Sequence, residues 1–222
     1  MSPRTSASSS PSPSYRQVMV FVDGGYLRKH LKSKWKNDEF STGVFLQLVR
    51  ELVEKVHHGL ILGELIRIYY YDAVVGEEEP TKRNRQQKFF DKLRELPFCE
   101  VRLGRLVEEN KRKENKKKRY KKKRYKQKGV DILMAIDMLD KAYEKHYEIA
   151  VLVTGDGDLV SLVEAVKNTG ARVYGACIEK HVPKTLLASF DNYTMISEKT
   201  LEDLAKNKLR VGKDNKSTIG ER

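Results

Sequence analysis

Residues 149–158 read IAVLVTGDGD, five apolar residues followed by Thr, Gly and two acids. A short apolar run that stops at glycine is typical of a strand buried on both faces of a parallel sheet. Residues 18–25, VMVFVDGG, repeat this arrangement with Asp23 as the acid. Ligands bind at the carboxyl ends of the strands in open α/β sheets. The two stretches therefore predict strands that end at one site containing Asp23, Asp156 and Asp158.

The rest of the chain alternates between strand patterns and helix patterns. The predicted strands are 17–22, 65–71, 100–107, 149–154, 171–177 and 193–196. The predicted helices are 44–57, 81–96, 130–146, 158–168 and 183–189. Strands that alternate with helices indicate a parallel sheet covered on both faces. The predicted fold class is α/β, a three-layer α/β/α sandwich with a mainly parallel central sheet.

A further acid, Asp131, opens the predicted helix at 130–146. The predicted apolar stripe of this helix is Ile132, Ala135, Ile136, Leu139, Ala142 and Tyr143. Asp131 lines up with Ala135 and Met138 at helical spacing, so we expect it to face the sheet edge. Asp137 falls away from that line, and we expect it to be solvated.

Each acid has an ordinary explanation when it is taken alone, as a turn residue or as a helix cap. Together, carboxylates without His or Cys favour a hard ion such as Mg²⁺ or Mn²⁺. Such an ion activates water for attack on a phosphodiester. We expect Asp23 and Asp156 to bind the ion directly and Asp131 and Asp158 to bind it through water. Because like charges repel, at least one of these carboxyl groups should have a raised pKa.

The positive charge of the chain is concentrated in one tract. Residues 111–128 contain thirteen Lys or Arg and the single acid Glu114, so they carry +12 of the net +13. A dense basic tract with interleaved tyrosines is typical of nucleic-acid binding. The candidate contacts are Lys116, Lys117, Lys118, Arg119, Tyr120, Lys121, Lys122, Lys123, Arg124, Tyr125 and Lys128. A solvated loop and an anionic membrane are the alternatives, but the tract lacks the apolar face of an interfacial helix.

Composition divides the chain into a domain and two tails. Residues 1–15 are rich in Ser and Pro and are predicted to be disordered, and 201–222 form a polar tail. The domain at 16–200 contains the basic insertion at 108–128. Two cysteines without metal-ligand spacing suit a reducing compartment, so we expect a cytoplasmic protein. No stretch reaches the length of a membrane span, and the sequence leaves homo-oligomerisation open.

Five motifs follow one another along the chain. They are FVDGGYL at 21–27, YYDA at 70–73, KGVD at 128–131, DML at 137–139 and VTGDGD at 153–158. Together they resemble the motifs of the NYN family of PIN-like nucleases. The resemblance spans about residues 16–197, and its last block is the most specific part. It implies a metal-dependent ribonuclease acting on RNA, with DNA as a further possibility.

Carried over residue by residue, the resemblance marks four acids as catalytic residues and as metal ligands. They are Asp23, Asp131, Asp156 and Asp158. Asp72 and Asp137 also match recurrent family positions at a strand end and in a helix. The helical position of Asp137 argues against direct ligation of the ion.

Three other functions remain to be weighed. A phosphatase of the haloacid dehalogenase type needs a second acid two residues after its nucleophile, where this chain has Gly25. A Rossmann dinucleotide binder needs a Gly-x-Gly-x-x-Gly motif after the first strand, and none is present. A module that binds RNA or a protein partner with little turnover fits the acids and the basic tract as well as a nuclease does.

Overall fold

The computed structural model describes residues 14–32, 41–56, 61–74, 80–108, 125–178, 182–197, 199–200 and 203. The predicted disordered tail up to residue 13 lies outside these ranges, as does the polar tail from 201 apart from Asp203. Most of the basic tract, residues 111–124, also lies outside them. Its last residues, including Tyr125 and Lys128, are described.

Seven strands form one sheet. They are β1 (Ser14–Asp23), β2 (Ile61–Ala73), β3 (Cys99–Glu108), β4 (Tyr125–Lys128), β5 (Ile149–Val153), β6 (Arg172–Ile178) and β7 (Asn192–Ile196). The strand order is β4-β3-β2-β1-β5-β6-β7. Every pair is parallel except β3 with β4, which is antiparallel. The prediction of a mainly parallel sheet is therefore confirmed.

The order of the strands creates a switch point between β1 and β5. From β1 the chain builds outward through β2 and β3, and it then returns to the other side of β1 to add β5, β6 and β7. In such sheets the helices after neighbouring strands leave in opposite directions, and a crevice opens at the carboxyl ends. Asp23 ends β1, and Asp156 follows β5 by three residues.

Helices cover both faces of the sheet. They are α1 (Gly24–Lys32), α2 (Thr42–Glu54), α3 (Pro80–Arg94), α4 (Val130–Tyr143), α5 (Val160–Lys167) and α6 (Lys184–Ser189), with a 3₁₀ turn at Gly157–Leu159. Leu27 of α1, Phe45 of α2 and Phe90 of α3 belong to the core on one face. Met134 of α4 and Val163 of α5 belong to the core on the other. The chain is thus a three-layer α/β/α sandwich, as predicted.

The central strands are apolar because they are buried on both sides. All five residues of β5 are buried. In β1, Val20 and Val22 pack toward α1–α3, whereas Phe21 packs toward α4–α6. This two-sided burial explains why the sequence shows a continuous apolar run and not an alternating one.

The β3–β4 hairpin extends beyond the carboxyl edge of the sheet. The pairing of β2 with β3 ends at Ala73 and Gly104, and β3 continues through four more residues that pair with β4. At about 3.4 Å per residue, this extension is roughly 14 Å long. Residues 109–124 join its two strands, and Gly129 links β4 to α4 with a left-handed φ of 84°.

The prediction of the buried face of α4 was wrong at three of its six positions, whereas Ala142 is buried and Ala135 and Leu139 pack against the core. Its buried residues are Val130, Met134, Met138 and Ala142. Ile132, Ile136 and Tyr143, which were predicted to face the core, are 65%, 58% and 72% exposed. The helix is apolar over most of its circumference, so its sequence fits more than one orientation on the sheet.

Candidate active site

Asp23 lies at the carboxyl end of β1, where it also begins α1. Its Oδ1 accepts the main-chain N–H of Tyr26 at 2.8 Å, and its Oδ2 accepts the hydroxyl of Thr154 at 3.4 Å. Burial raises the pKa of Asp23 from 3.8 to about 6, and the negative charges of Asp131, Asp72 and Asp156 raise it further. The expected raised carboxyl pKa is therefore confirmed, with burial as its main cause.

Residues 154–158 form a hydrogen-bonded turn after β5. The buried Thr154 hydroxyl accepts the N–H of Asp156 at 3.2 Å. Asp156 Oδ1 in turn accepts the N–H of Asp158 at 3.0 Å and so caps the 3₁₀ turn. Thr154 therefore connects Asp23 to Asp156 across the switch point. Asp158 is exposed.

Asp131 lies in the first turn of α4 and is exposed. The expectation that it belongs to the packed side of α4 was wrong, because Val130 and Met134 occupy that side. Asp131 is nevertheless close enough to Asp23 for its charge to raise the pKa of Asp23. In the structure, the negative charges of Asp131 and Asp156 therefore both raise the pKa of Asp23.

Asp72 has a different environment from the other acids. Its side chain is fully buried, and its Oδ1 accepts Nη2 of Arg28 at 2.5 Å and the N–H of Ala73 at 2.7 Å. Burial raises the pKa of Asp72, and the Arg28 guanidinium lowers it. Its strand neighbour Tyr70 packs against Phe45 and belongs to the core beneath α1–α3. Asp72 is therefore ion-paired with Arg28 on the side of the sheet that faces α1–α3.

Asp137 is partly buried and not solvated as predicted. It accepts the hydroxyl of Tyr71 at 2.9 Å, and Nε of Arg102 lies 3.4 Å from the same carboxylate oxygen. Burial and the Asp137 carboxylate raise the pKa of the Tyr71 hydroxyl. These contacts hold α4 against β2 and β3.

The donor set fits a hydrated hard cation better than a closed metal cage. Within the described residues, no group of three or more His, Cys, Asp or Glu side chains lies close enough to hold a metal ion. Mg²⁺ keeps several waters and is commonly held by one or two carboxylates together with substrate phosphates. Asp23 and Asp156 are the carboxylates on either side of the switch point that would hold such a cation, and the exposed Asp131 lies near enough for its charge to act on Asp23.

Tyr26 is a site residue that sequence reasoning missed. Its hydroxyl donates to the carbonyl of Ile178 and accepts the N–H of the same residue. Its ring lies over Gly155, where an added Cβ would come within 2.5 Å of the ring. A tyrosine after two glycines gives no sequence signal for this role, because its partners lie on β6 and in the turn after β5.

Comparison with known families identifies this arrangement. The NYN domain model matches residues 17–197, most of the chain and all the strands described above. The chain belongs to the NYN domain family. This family is part of the PIN-like nuclease superfamily, whose members typically use divalent metals.

Structural comparison agrees on the fold. A crystal structure of a protein of unknown function from Vibrio parahaemolyticus has a TM-score of 0.51 and 18% identity, covering 82% of this chain and 94% of that chain. No curated protein matches the NYN chain. Among the described residues, no helix combines the length and the apolar composition that crossing a membrane requires.

Proposed function

We propose that this NYN domain is a metal-dependent ribonuclease that hydrolyses phosphodiester bonds at Asp23, Asp131, Asp156 and Asp158. The observation that carries the proposal is the position of Asp23. It is a partly buried carboxyl group at the switch point of the sheet, and the charges of Asp131 and Asp156 act on it. Membership of the PIN-like nuclease superfamily supports the same reaction class.

Each residue has a distinct task in this reaction. Asp23 and Asp156 would hold the cation through carboxylate oxygens, and Asp131 and Asp158 would bind it through water. A bound Mg²⁺ or Mn²⁺ supplies an activated water and stabilises charge on the phosphate. Thr154 fixes the positions of Asp23 and Asp156 relative to each other through its two hydrogen bonds. Tyr26 fixes the wall of the crevice by bonding Ile178.

The basic tract supports a nucleic acid as the substrate. The β3–β4 hairpin rises from the same edge of the sheet as Asp23, and β4 leads within three residues to Asp131. The thirteen basic residues at 111–128 would bind the phosphate backbone of a single strand near the acids. The preference for RNA over DNA follows from the family resemblance alone.

An RNA-binding module with little turnover is the second candidate. It is favoured by one observation, that thirteen of residues 111–128 are basic and would bind a phosphate backbone with or without turnover. Such a module would bind RNA through the tract and would show no dependence on divalent metal. The two candidates differ in whether the substrate is consumed.

A nuclease assay with matched variants separates the two candidates. Labelled single-stranded RNA and DNA are incubated with the full chain in Mg²⁺, Mn²⁺ or EDTA. We expect cleavage of RNA only with metal, and a loss of at least about 100-fold in Asp131→Asn. Asp140→Asn is the control, because Asp140 is also exposed on α4 but lies further along the helix. RNA that is bound but not cleaved under any metal condition would favour the binding module.

A further inference from the structure

Arg28 is a cation on the first helix, and it pairs with Asp72 near the end of β2, the strand beside β1. α1 begins immediately after Asp23, and Arg28 follows one turn later. Its Nη2 lies 2.5 Å from Oδ1 of Asp72, whose side chain is fully buried, whereas the side chain of Arg28 is 28% exposed. One edge of the guanidinium therefore faces a buried carboxylate, and part of the side chain reaches the surface.

The surroundings of Arg28 bury part of its guanidinium group. Its Nε is buried and makes no hydrogen bond to any residue that the structure describes. The ring of Tyr70 lies directly under Gly24, where a Cβ would be 2.3 Å from the ring, and the Tyr70 hydroxyl lies 3.5 Å from Oδ2 of Asp72. Asp72 thus holds one edge of the guanidinium, and Tyr70 packs beside that carboxylate.

Arg28 and the candidate catalytic acids lie on opposite sides of the strand ends. Side chains alternate along a strand, and Asp72 shares the face of Tyr70, toward α1–α3. Asp23 shares the face of Phe21, toward α4, where Asp131 is found. Asp23 pairs with Tyr71, the residue before Asp72, so the two carboxylates are on adjacent strands. Arg28 is thus connected to the acids through Asp72, whose charge acts on Asp23.

We propose that Arg28 binds the substrate phosphate next to the scissile phosphate, and so sets where the strand lies over the acids. The inference rests on the proposed nuclease function. A guanidinium presents a planar fork of donors that matches phosphate oxygens, and charge-assisted bonds of this kind are strong. Asp72 is then a positioning residue, because it orients the guanidinium and does not touch the substrate.

The competing explanation is that Arg28 and Asp72 form a buried ion pair with a structural role only. Removing one partner of such a pair leaves an uncompensated buried charge and destabilises the fold. The single Arg28→Gln variant therefore cannot separate the two explanations. The double variant Arg28→Gln with Asp72→Asn removes both charges and so leaves no uncompensated buried charge, and it is the variant to use.

The experiment combines this variant with substrates that carry one neutral linkage. The cleavage position is first mapped on a single-stranded RNA with the wild-type chain in Mn²⁺. Methylphosphonate, which has no charge, then replaces one phosphate at a time on either side of that position. Binding is measured in Ca²⁺, and kcat and KM are measured in Mn²⁺. Arg16→Gln is the control, because Arg16 is also ion-paired, to Glu148, at the opposite end of β1.

We expect one neutral linkage adjacent to the cut to weaken wild-type binding by about tenfold or more. The double variant should bind the all-phosphate RNA at least about tenfold more weakly than the wild type does. A neutral linkage at that one position should not weaken its binding further. Arg16→Gln should behave as the wild type does. The proposal is overturned if the double variant and the wild type respond equally to the neutral linkage at every position. If the wild type neither binds nor cleaves RNA or DNA, the proposed function fails as well.

Discussion

The hydroxyl of Tyr26 bonds both main-chain polar groups of Ile178, at 2.5 Å to the carbonyl oxygen and 2.8 Å from the amide nitrogen. Tyr26 belongs to the first turn of α1, and Ile178 ends β6. Its ring meanwhile covers Gly155 in the turn after β5. One side chain therefore connects three segments around the crevice that contains Asp23.

Replacing Tyr26 by Phe should loosen this crevice while keeping the ring. The N–H and the carbonyl of Ile178 would lose their partner, which should lower the free energy of unfolding by about 1–3 kcal/mol. Chemical denaturation gives this value. Tyr174→Phe is a matched control, because Tyr174 packs against the same core from β6. A Tyr26→Phe variant as stable as the wild type would mean that water replaces the hydroxyl at no cost.

Asp23→Asn should stabilise the metal-free protein above pH 6. The folded-state pKa of Asp23 is raised from 3.8 to about 6, so the folded state binds the proton more tightly than the unfolded chain does. Stability from this group is thus present below about pH 4 and is lost as pH rises to about 6. The full loss is about 3 kcal/mol, an order-of-magnitude value.

Thermal melts from pH 4 to pH 8 test this expectation. The wild-type midpoint should fall across the range more steeply than that of Asp23→Asn, and Mn²⁺ should raise the wild-type midpoint near pH 7. Asp72 also has a raised pKa and contributes with the same sign. The contribution of Asp23 is therefore the difference between the pH profiles of the melting midpoint of Asp23→Asn and of the wild type. Parallel pH profiles for the two proteins would contradict the prediction.

Asp156→Asn should impair cleavage more than Asp158→Asn does. Asp156 acts on the pKa of Asp23 and is tied to it through Thr154, whereas Asp158 is exposed. We expect a loss of at least about 100-fold in kcat for Asp156→Asn and a clearly smaller loss for Asp158→Asn. Single-turnover rates in Mn²⁺ measure both. Equal losses would mean that both carboxylates hold the cation directly.

Neutralising the basic tract should weaken RNA binding and reduce its salt dependence. The variant changes Lys116, Lys117, Lys118, Lys121, Lys122 and Lys123 to Ser. Each basic residue that neutralises a phosphate on a single strand contributes roughly −0.7 to the log–log salt slope. Binding titrations over a range of salt concentrations give the slope, and kcat at saturating RNA should be retained. An unchanged slope would assign the tract to a different partner.

Most of the architecture follows from local sequence patterns. The apolar runs at 18–22 and 149–153 predict the two central strands because both faces of these strands are buried. The strand-end acids Asp23 and Asp156 are predictable for the same reason, since the ends of central parallel strands meet at one edge.

Other features depend on tertiary contacts that local patterns do not contain. Helix α1 was not predicted, because it begins with Gly24 and Gly25, which are poor helix formers. It is stabilised by the Asp23 carboxylate, which accepts the N–H of Tyr26, and by burial of Leu27. Strand β4 was also not predicted, because its sequence, YKQK, is polar and it forms only through pairing with β3.

The environments of individual acids were the hardest part to foresee. Asp72 and Asp137 both match family positions, yet each is bound by an arginine, Arg28 and Arg102 respectively. Arg28 lies 44 residues from its partner in sequence. No spacing rule relates residues at such a separation, so only the assembled sheet shows which acids remain available for a cation.

The antiparallel pairing of Glu108 with Tyr125 places the two ends of residues 109–124 side by side. The entropy cost of closing a loop grows only slowly with its length. The fold therefore tolerates segments of different length and composition between these two residues, independently of the core. A recognition peptide of another specificity inserted there would redirect the domain to a new target while leaving the acids of the central strands unchanged.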